Sequence, residues 1–452
     1  MDATIHPPRD AAHRLPLDGV RVAEITVVWA GPHVTQLLGE WGADVIRVEP
    51  VNAIQPYSRY PERILDEAAS RALAASGYTL AAYPDFQAGV DPWNRNPSFN
   101  AHARNKRSMA CNVRTPAGRE AFLRLIKHVD VLVENNVPET IERSGITYEV
   151  LRAINPRLIM LRMPAYGLSG PYKNYRGFGT HVEGMIGHHL IRTYDDGTPD
   201  EMGDTYTADA LAGVMGAFAV ASALRSRART GLGQQVEMPL AEAFLPAIGE
   251  YILDYTMNGR DSLQEGNTHR SHAPHGIYPA AGEDQWVALD IATDEEFAAF
   301  CQVTGASALL DDTRFASAAA RWTHRKALDA AVSGATQRTD KVTLFHALQA
   351  AGVCAAPVDD DLDCTRSPQL AARGFFEELT APSTGTHRYP GIMTKWANTP
   401  NWIRTPAPRV GEHSEEIYID FLGYSRAEYD ALVAQGEVGT TYPPDVLARG
   451  VG

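Results

Sequence analysis

The sequence predicts an α/β fold, an open parallel sheet with helices on its faces, accompanied by a smaller α+β domain. Two observations predict it. The chain opens on a strand–helix–strand pattern and returns to that alternation after residue 104, and this order favours parallel pairing. Beyond residue 265 the pattern changes to two strand-like runs around a turn, then consecutive helices, which marks a second region.

The apolar run VRVAEITVV (20–28) reads as a buried strand, HVTQLLGEWG (33–42) as a helix stopped at Gly42, and ADVIRVEP (43–50) as the next strand. Residues 51–104 form a Pro-, Tyr- and Arg-containing insertion with one helical piece, ILDEAASRALAA, which the pattern does not place on the sheet. Alternation then resumes. SMACNV, VLVEN and RLIMLRM are strand-like, PAGREAFLRLIKHVD is a helix opened by Pro116, and YEVLRAINP is a second helix. GQQVEMPL reads as a strand and AEAFLPAIGEYILDYTMNG as one long helix ending at Asn-Gly. HGIYPAAGEDQWVALDI supplies the two strands of the second region, and EEFAAFCQVTG, RKALDAAVSG and KVTLFHALQAAG its helices. The tail runs through short segments, APV, SPQLAARGFF and GEHSEEIYIDFLG.

A chain of 452 residues is too long for one ordinary core. At 44% hydrophobic and 21% charged it has a soluble profile, with no uninterrupted apolar run of membrane-spanning length. The first residues, MDATIHPPRDAAHRLPLDG, lack the basic end and apolar centre of a signal peptide, so a cytoplasmic protein is expected. Cys111, Cys301, Cys354 and Cys364 are scattered without a C-x-x-C pair, which argues against a disulfide framework and a zinc cage. A net charge of -14 argues against general binding to nucleic acid or anionic membranes. An anionic ligand must therefore meet a local basic cluster.

Several motifs fail on inspection. The first turn, VVWAGPH, lacks G-x-G-x-x-G although Glu49 ends the second strand, so a dinucleotide site is disfavoured. GLSGP carries Pro171 where a nucleophile elbow needs glycine. His269, His272 and His275 fall in one window, but Pro274 and Gly276 break any helix there and no acid or thiol adjoins them, so a loop is favoured over a metal site. His181, His188 and His189 read first as solvated or packed histidines. In NKRSMACNVR, Lys106, Arg107 and Arg114 flank a strand with the fixed cations that phosphates require, and Arg143 can join them from a neighbouring strand end. A solvated edge explains the cluster equally well. Asp209, at the mouth of GDTYTADALAGVMGAFAVASAL, is either the cap of a buried helix or a nucleophile in a water-poor site.

Seven segments taken together decide between these readings. LDGVRVAEITVVWAGPHVTQLLGEWGADVIRVE, the stretch from NKRSMACNVR to INPRLI, GLSGPY, RTGLGQQVEMPL, LQAAGVCAAPV, PQLAARGFF and PAPRVGEH resemble, in this order, the class III coenzyme A transferases. That family includes formyl-CoA transferase and carnitine CoA-transferase and is related to α-methylacyl-CoA racemase. The resemblance implies an open Rossmann-like large domain built from both chain ends. Residues 1–240 form its first part, 241–265 a linker helix, 266–350 the small α+β domain, and 351–452 the return. It also implies an interlocked homodimer, no metal or organic cofactor, and a coenzyme A thioester as co-substrate with a carboxylic acid as the second substrate.

The same resemblance makes Asp209, in its D-x-x-x-G setting with Gly213, the nucleophile that attacks an acyl-CoA carbonyl and forms an aspartyl mixed anhydride. CoA contacts fall by resemblance on Val28, Trp29 and Ala30, on the strand end Cys111 to Arg114, on Asn135, Asn136 and Val137, and on Arg143. Trp29 is expected to stack on adenine, and Arg114 and Arg143 to meet phosphates. His181 and Gly213 are assigned to the substrate pocket. Pro50 replaces an often basic position, and the glycine loop of some transferases is not visible around residues 258–275. The racemase branch uses a His-Asp pair where this chain has Phe178 and Gly179, so racemisation requires His181 to serve from a shifted position. A non-catalytic CoA-thioester binder is the remaining alternative.

Overall fold

In the computed structural model, which describes residues 14–55, 59, 65–76, 83–201, 203, 205–261, 266–399 and 401–449, six strands form one parallel sheet. They are β1 (Arg21–Ile25), β2 (Asp44–Glu49), β3 (Lys106–Ala110), β4 (Val131–Glu134), β5 (Ile159–Arg162) and β6 (Gln235–Glu237). Their spatial order is β3-β2-β1-β4-β5-β6, with Ala23 in register with Ile46 on one side and Leu132 on the other. The order reverses between β1 and β4, and the crevice beyond the carboxyl ends of such strands is where open α/β sheets receive ligands. Strands β1 to β5 are almost wholly buried, which is why they read as continuous Val/Ile/Leu/Met runs rather than alternating ones.

The elements expected in the first third all form, with shorter ends. β1 stops at Ile25 rather than at 28, because Val28 has φ 59, a left-handed conformation that cannot extend a strand. Helix α1 (Ala30–Glu40) follows, and the chain turns at Gly42, whose φ of 103 suits glycine. Helix α2 (Pro116–Ile126) starts at its proline, with the Thr115 hydroxyl accepting the Gly118 N–H at 3.1 Å. Helices α3 (Pro138–Ser144), α4 (Tyr148–Ile154), α5 (Gly179–Met185) and α6 (Thr207–Thr230) complete the layer. By length and composition α6 is apolar enough to cross a membrane. Its small buried residues, Ala212, Gly213, Gly216, Ala217 and Val220, instead form a core stripe. Gly213 and Gly216 press directly on His33 and Val34 of α1.

One face of the sheet contains charge. Glu24 on β1, with no exposure, receives Arg47 at 3.0 Å and Lys106 at 3.1 Å, and the Thr35 hydroxyl of α1 also donates to it. Lys106 Nζ donates further to the Pro32 carbonyl of α1 at 3.0 Å. Glu49 receives Arg47 at 3.1 Å, Arg59 at 2.7 Å and the Ser108 hydroxyl at 2.6 Å. Burial alone raises a carboxyl, but these partners outweigh it and hold Glu49 down at about 2. Such charges are tolerated only because each is paired and hydrogen-bonded.

The chain divides into two compact units. The first holds the described residues of Met1–Ile186, Asp204–Gly249 and Ala371–Gly452, and the second those of Gly187–Gly203 and Glu250–Leu370. In the first, the C-terminal segment covers the β3 edge. Ala110 N–H donates to Ser414 Oγ at 2.9 Å, and Gly411 N–H to Ser108 Oγ at 2.8 Å. The tail also carries a hairpin, β10 (Phe376–Ala381) with β11 (Gly385–Pro390), absent from the sequence reading. The second unit is built on an antiparallel sheet of β7 (His275–Pro279), β8 (Trp286–Asp290) and β9 (Cys354–Val358), and it extends past residue 350 because β9 pairs with β8. The long helix expected over 241–259 is three pieces, Leu240–Phe244, Leu245–Ile248 and Gly249–Asn258, with Pro246 at the break. Residues 1–13 and parts of the 51–104 insertion lie outside the described residues.

Lys106→Met leaves Glu24 with fewer cations in a fully buried position. Urea unfolding is expected to show a loss of about 3 kcal/mol or more, against about 0.5 kcal/mol or less for an exposed lysine.

Candidate active site

The site starts from the N-terminus of α6. One of its free backbone groups is served by Glu183 of α5, whose Oε1 accepts the Ala208 N–H at 3.0 Å while Oε2 accepts the Thr205 hydroxyl at 2.9 Å. Glu183 is fully buried. The capping role is thus filled by another residue, and Asp209, at the third helical position, is available for different work.

Asp209 is 5% exposed, and the backbone N–H groups of Ala30 and Gly179 face its carboxylate. Ala30 is the first residue of α1, so two long helices direct positive ends at this one group. Burial raises the carboxyl from 3.8 to about 6, the neighbouring Glu183 charge adds to the rise, and the two N–H groups oppose it. The result is a carboxylate that is ionised at neutral pH yet poorly solvated, and therefore more nucleophilic than a surface aspartate. Glycines make the approach possible. A Cβ on Gly179 would overlap Asp209 Oδ2, one on Gly213 would fall 2.5 Å from His33 Nδ1, and one on Gly31 would fall 2.9 Å from Asn135.

Asp209 opens into a cavity of about 700 Å³ at the carboxyl ends of the strands, at the β1/β4 reversal. Loops after β2 and β3 supply Asn52, Ile54, Gln55, Asn112 and Arg114; the turn after β4 supplies Asn135, Asn136 and Val137; the segment before α5 supplies Arg176 and Phe178, and the first turn of α5 supplies His181. Among the described lining residues Asp209 is the single acid, while Arg114, Arg176 and Arg449 are cationic. The asparagines also fix the turn behind them. Asn135 exchanges hydrogen bonds with both backbone groups of Val27 at 2.8 Å, and Asn136 Nδ2 donates to the Ile25 carbonyl at 2.8 Å.

Of the residues expected from the sequence, Asp209, Val28, Cys111, Arg114, Asn135, Asn136, Val137 and His181 line this cavity. Ala30 contributes its N–H, and Gly213 contributes the close packing of α6 on α1. Trp29 is placed differently. Its indole stacks on Tyr206 at 5.5 Å and meets the tilted ring of His102 at 4.8 Å, and it is not among the residues lining the cavity. Lys106 and Arg107 are likewise corrected. Lys106 points into the sheet interior toward Glu24, and Arg107, at the opposite end of β3, pairs with Asp44 at 2.5 Å and Glu416 at 2.8 Å. Arg143 sits on an exposed turn of α3, 3.9 Å from Glu139, outside the lining.

Arg176, Arg449 and Glu183 escaped the sequence reading. The first two lie in segments without periodicity, and only the fold brings Glu183 to α6. In the second unit, the His269 and His272 rings lie 3.9 Å apart, but His272 Nδ1 is committed to Asp290 at 2.7 Å and His275 Nδ1 to the Asn267 carbonyl at 2.7 Å. Among the described residues no group of three or more His, Cys, Asp or Glu is arranged to hold a metal ion.

A family model described as CoA-transferase family III matches residues 17–414. The chain is 31% identical over 405 residues to a succinate–glutarate CoA-transferase of Agrobacterium fabrum, covering 89% of this chain and 94% of that protein. It is 31% identical over 420 residues to a succinyl-CoA–D-citramalate CoA-transferase of Chloroflexus aurantiacus, covering 93% and 97%. A solved CAIB/BAIF family protein from Brucella suis superposes with a TM-score of 0.74 at 28% identity, covering 90% of this chain and 100% of that one.

Holding a carboxyl at about 6 rather than 3.8 costs its ionised form about 3 kcal/mol. Because the folded value is raised, Asp209 contributes its full stability below pH 4 and loses it as pH rises through 6. Asp209→Asn removes this titration. Denaturation at pH 4 and pH 7 is expected to show the variant gaining on the wild type by about 2 kcal/mol across that window.

Proposed function

The chain belongs to CoA-transferase family III, and we propose that it moves coenzyme A from an acyl-CoA thioester to a carboxylic acid with Asp209 as covalent nucleophile. The observation that carries this reading is the buried Asp209 carboxylate, relieved of capping by Glu183 and open to the cavity.

The steps balance without a net proton. An Asp209 oxygen attacks the donor thioester carbonyl, a C–O bond forms, the C–S bond breaks, and CoA thiolate leaves behind a mixed anhydride. The thiolate attacks the aspartyl carbonyl and expels the donor acid as its carboxylate, giving an aspartyl–CoA thioester. The acceptor carboxylate attacks that thioester and releases the thiolate, forming a second anhydride. Finally the thiolate attacks the acceptor acyl carbonyl, producing the new acyl-CoA and restoring Asp209. No step calls for a metal or an organic cofactor.

Cavity placement supports Arg114, with Asn52, Gln55 and Asn112 beside it, as a contact for the anionic part of coenzyme A. The names of the relatives support a short dicarboxylic acid as one substrate. The two-protomer, interlocked arrangement remains part of the proposal through family membership alone.

Racemisation is the weaker reading. His181 Nδ1 accepts the Phe178 N–H at 3.3 Å, which leaves the ring proton on Nε2 and no lone pair facing the cavity to take an α-proton. Solvent-deuterium incorporation at the α-carbon without an acceptor acid is the outcome that reading requires.

Incubation with acyl-CoA followed by hydroxylamine or borohydride is expected to modify the peptide carrying Asp209. Asp209→Ala is expected to lower transfer about 10⁴-fold, and activity close to wild type would refute the nucleophile. Because the ionised acid reacts, kcat/KM is expected to fall below an acid limb near pH 6. A limb near pH 4 would contradict the effect assigned to burial.

A further inference from the structure

The transfer chemistry leaves two cavity residues without a task. Arg176 and His181 line the same cavity as Asp209, on either side in sequence of Gly179, which packs on the Asp209 carboxylate. Arg176 is exposed, and no acid among the described residues forms an ion pair with it. Its cationic neighbours in the lining differ. Arg449 is paired with Asp445 at 2.7 Å, and Arg114 lies on the loop after β3, at the far side of the sheet order from the β5 end.

Next to Arg176, Gly177 leaves room for the Tyr166 hydroxyl, which would lie 2.8 Å from a Cβ at that position. His181 is also oriented. With Nδ1 accepting the Phe178 N–H, its Nε2–H is a donor. A planar guanidinium and an imidazole N–H are thus offered beside a buried anion.

We propose that Arg176 and His181 bind the second carboxylate of a dicarboxylic substrate while its reacting carboxyl or thioester group faces Asp209. This rests on the transferase reading above. Arg176 binds the remote carboxylate in a two-pronged contact and His181 adds one N–H, which fixes the reacting end beside the nucleophile. The cation also offsets the repulsion between an incoming diacid and the Asp209 carboxylate. The carboxyl carbons of a four- or five-carbon diacid lie about 4–5 Å apart. Arg176 precedes by three residues the Gly179 that packs on Asp209 Oδ2, whereas Arg114 lies on the loop after β3 beside Asn52 and Asn112. A short diacid held at Asp209 therefore meets Arg176, and Arg114 is left to coenzyme A.

The test uses the full chain and acceptors matched in length, glutarate and pentanoate, with acyl-CoA donor kept constant. The wild type is expected to prefer glutarate. Arg176→Gln is expected to lower kcat/KM for glutarate about 100-fold and to change that for pentanoate less than about threefold. Arg176→Lys recovers part of the loss, and His181→Ala costs about 10-fold on glutarate alone. Coenzyme A affinity, read by calorimetry, stays unchanged in each variant. Equal losses on both acceptors with weakened coenzyme A binding would overturn the proposal and assign Arg176 to a phosphate, and a wild-type preference for pentanoate would overturn it as well. Failure of the transferase reading looks different: no transfer to any acid and no modification of Asp209 by acyl-CoA.

Discussion

The structure depends on keeping one carboxylate out of water without neutralising it with a cation. Asp209 has no arginine or lysine partner among the described residues; it is held by backbone N–H groups and the positive ends of α1 and α6. A salt bridge would stabilise the anion more but would lower its nucleophilicity. Gly179 can bring its N–H this close because it lacks a Cβ, which would overlap Asp209 Oδ2, and Gly213 lets α6 pack on His33 of α1. Glu183 completes the arrangement by serving the helix end from the side.

The scaffold behind the site is charged for a related reason. α1 must present the Ala30 N–H at a fixed position, and its first turn is tied to the sheet through Lys106, which joins the Pro32 carbonyl to Glu24. Asn135 fixes the preceding turn through both backbone groups of Val27. The strained Val28 conformation lies between these two anchors, where the surrounding structure can sustain it. Polar residues inside the sheet therefore position the crevice as well as fill it.

Much of this was legible in the sequence. The parallel sheet follows from continuous apolar runs separated by helical periods, and the position of Asp209 at the mouth of a buried helix from the small-residue run that follows it. What was not legible depended on long-range packing. A lysine beside an arginine in NKRSMACNVR looks like a phosphate site, and only the strand register shows that Lys106 turns inward and Arg107 lies at the wrong end. Trp29 reads as a stacking platform, but in the fold it stacks on Tyr206 and lies outside the cavity lining. The cap of α6 comes from a residue 25 positions away from Ala208, a relation that local rules cannot find.

The central claim is that Asp209 exchanges its own oxygen during turnover. With an acceptor acid labelled with oxygen-18 in its carboxylate, the bridging oxygen of the second anhydride stays on the enzyme when the thiolate takes the acyl group. Mass spectrometry of the peptide carrying Asp209 is the direct measurement. The mechanism predicts incorporation of oxygen-18 into Asp209 that requires both donor acyl-CoA and acceptor acid. Sustained transfer with no label in that peptide would contradict it.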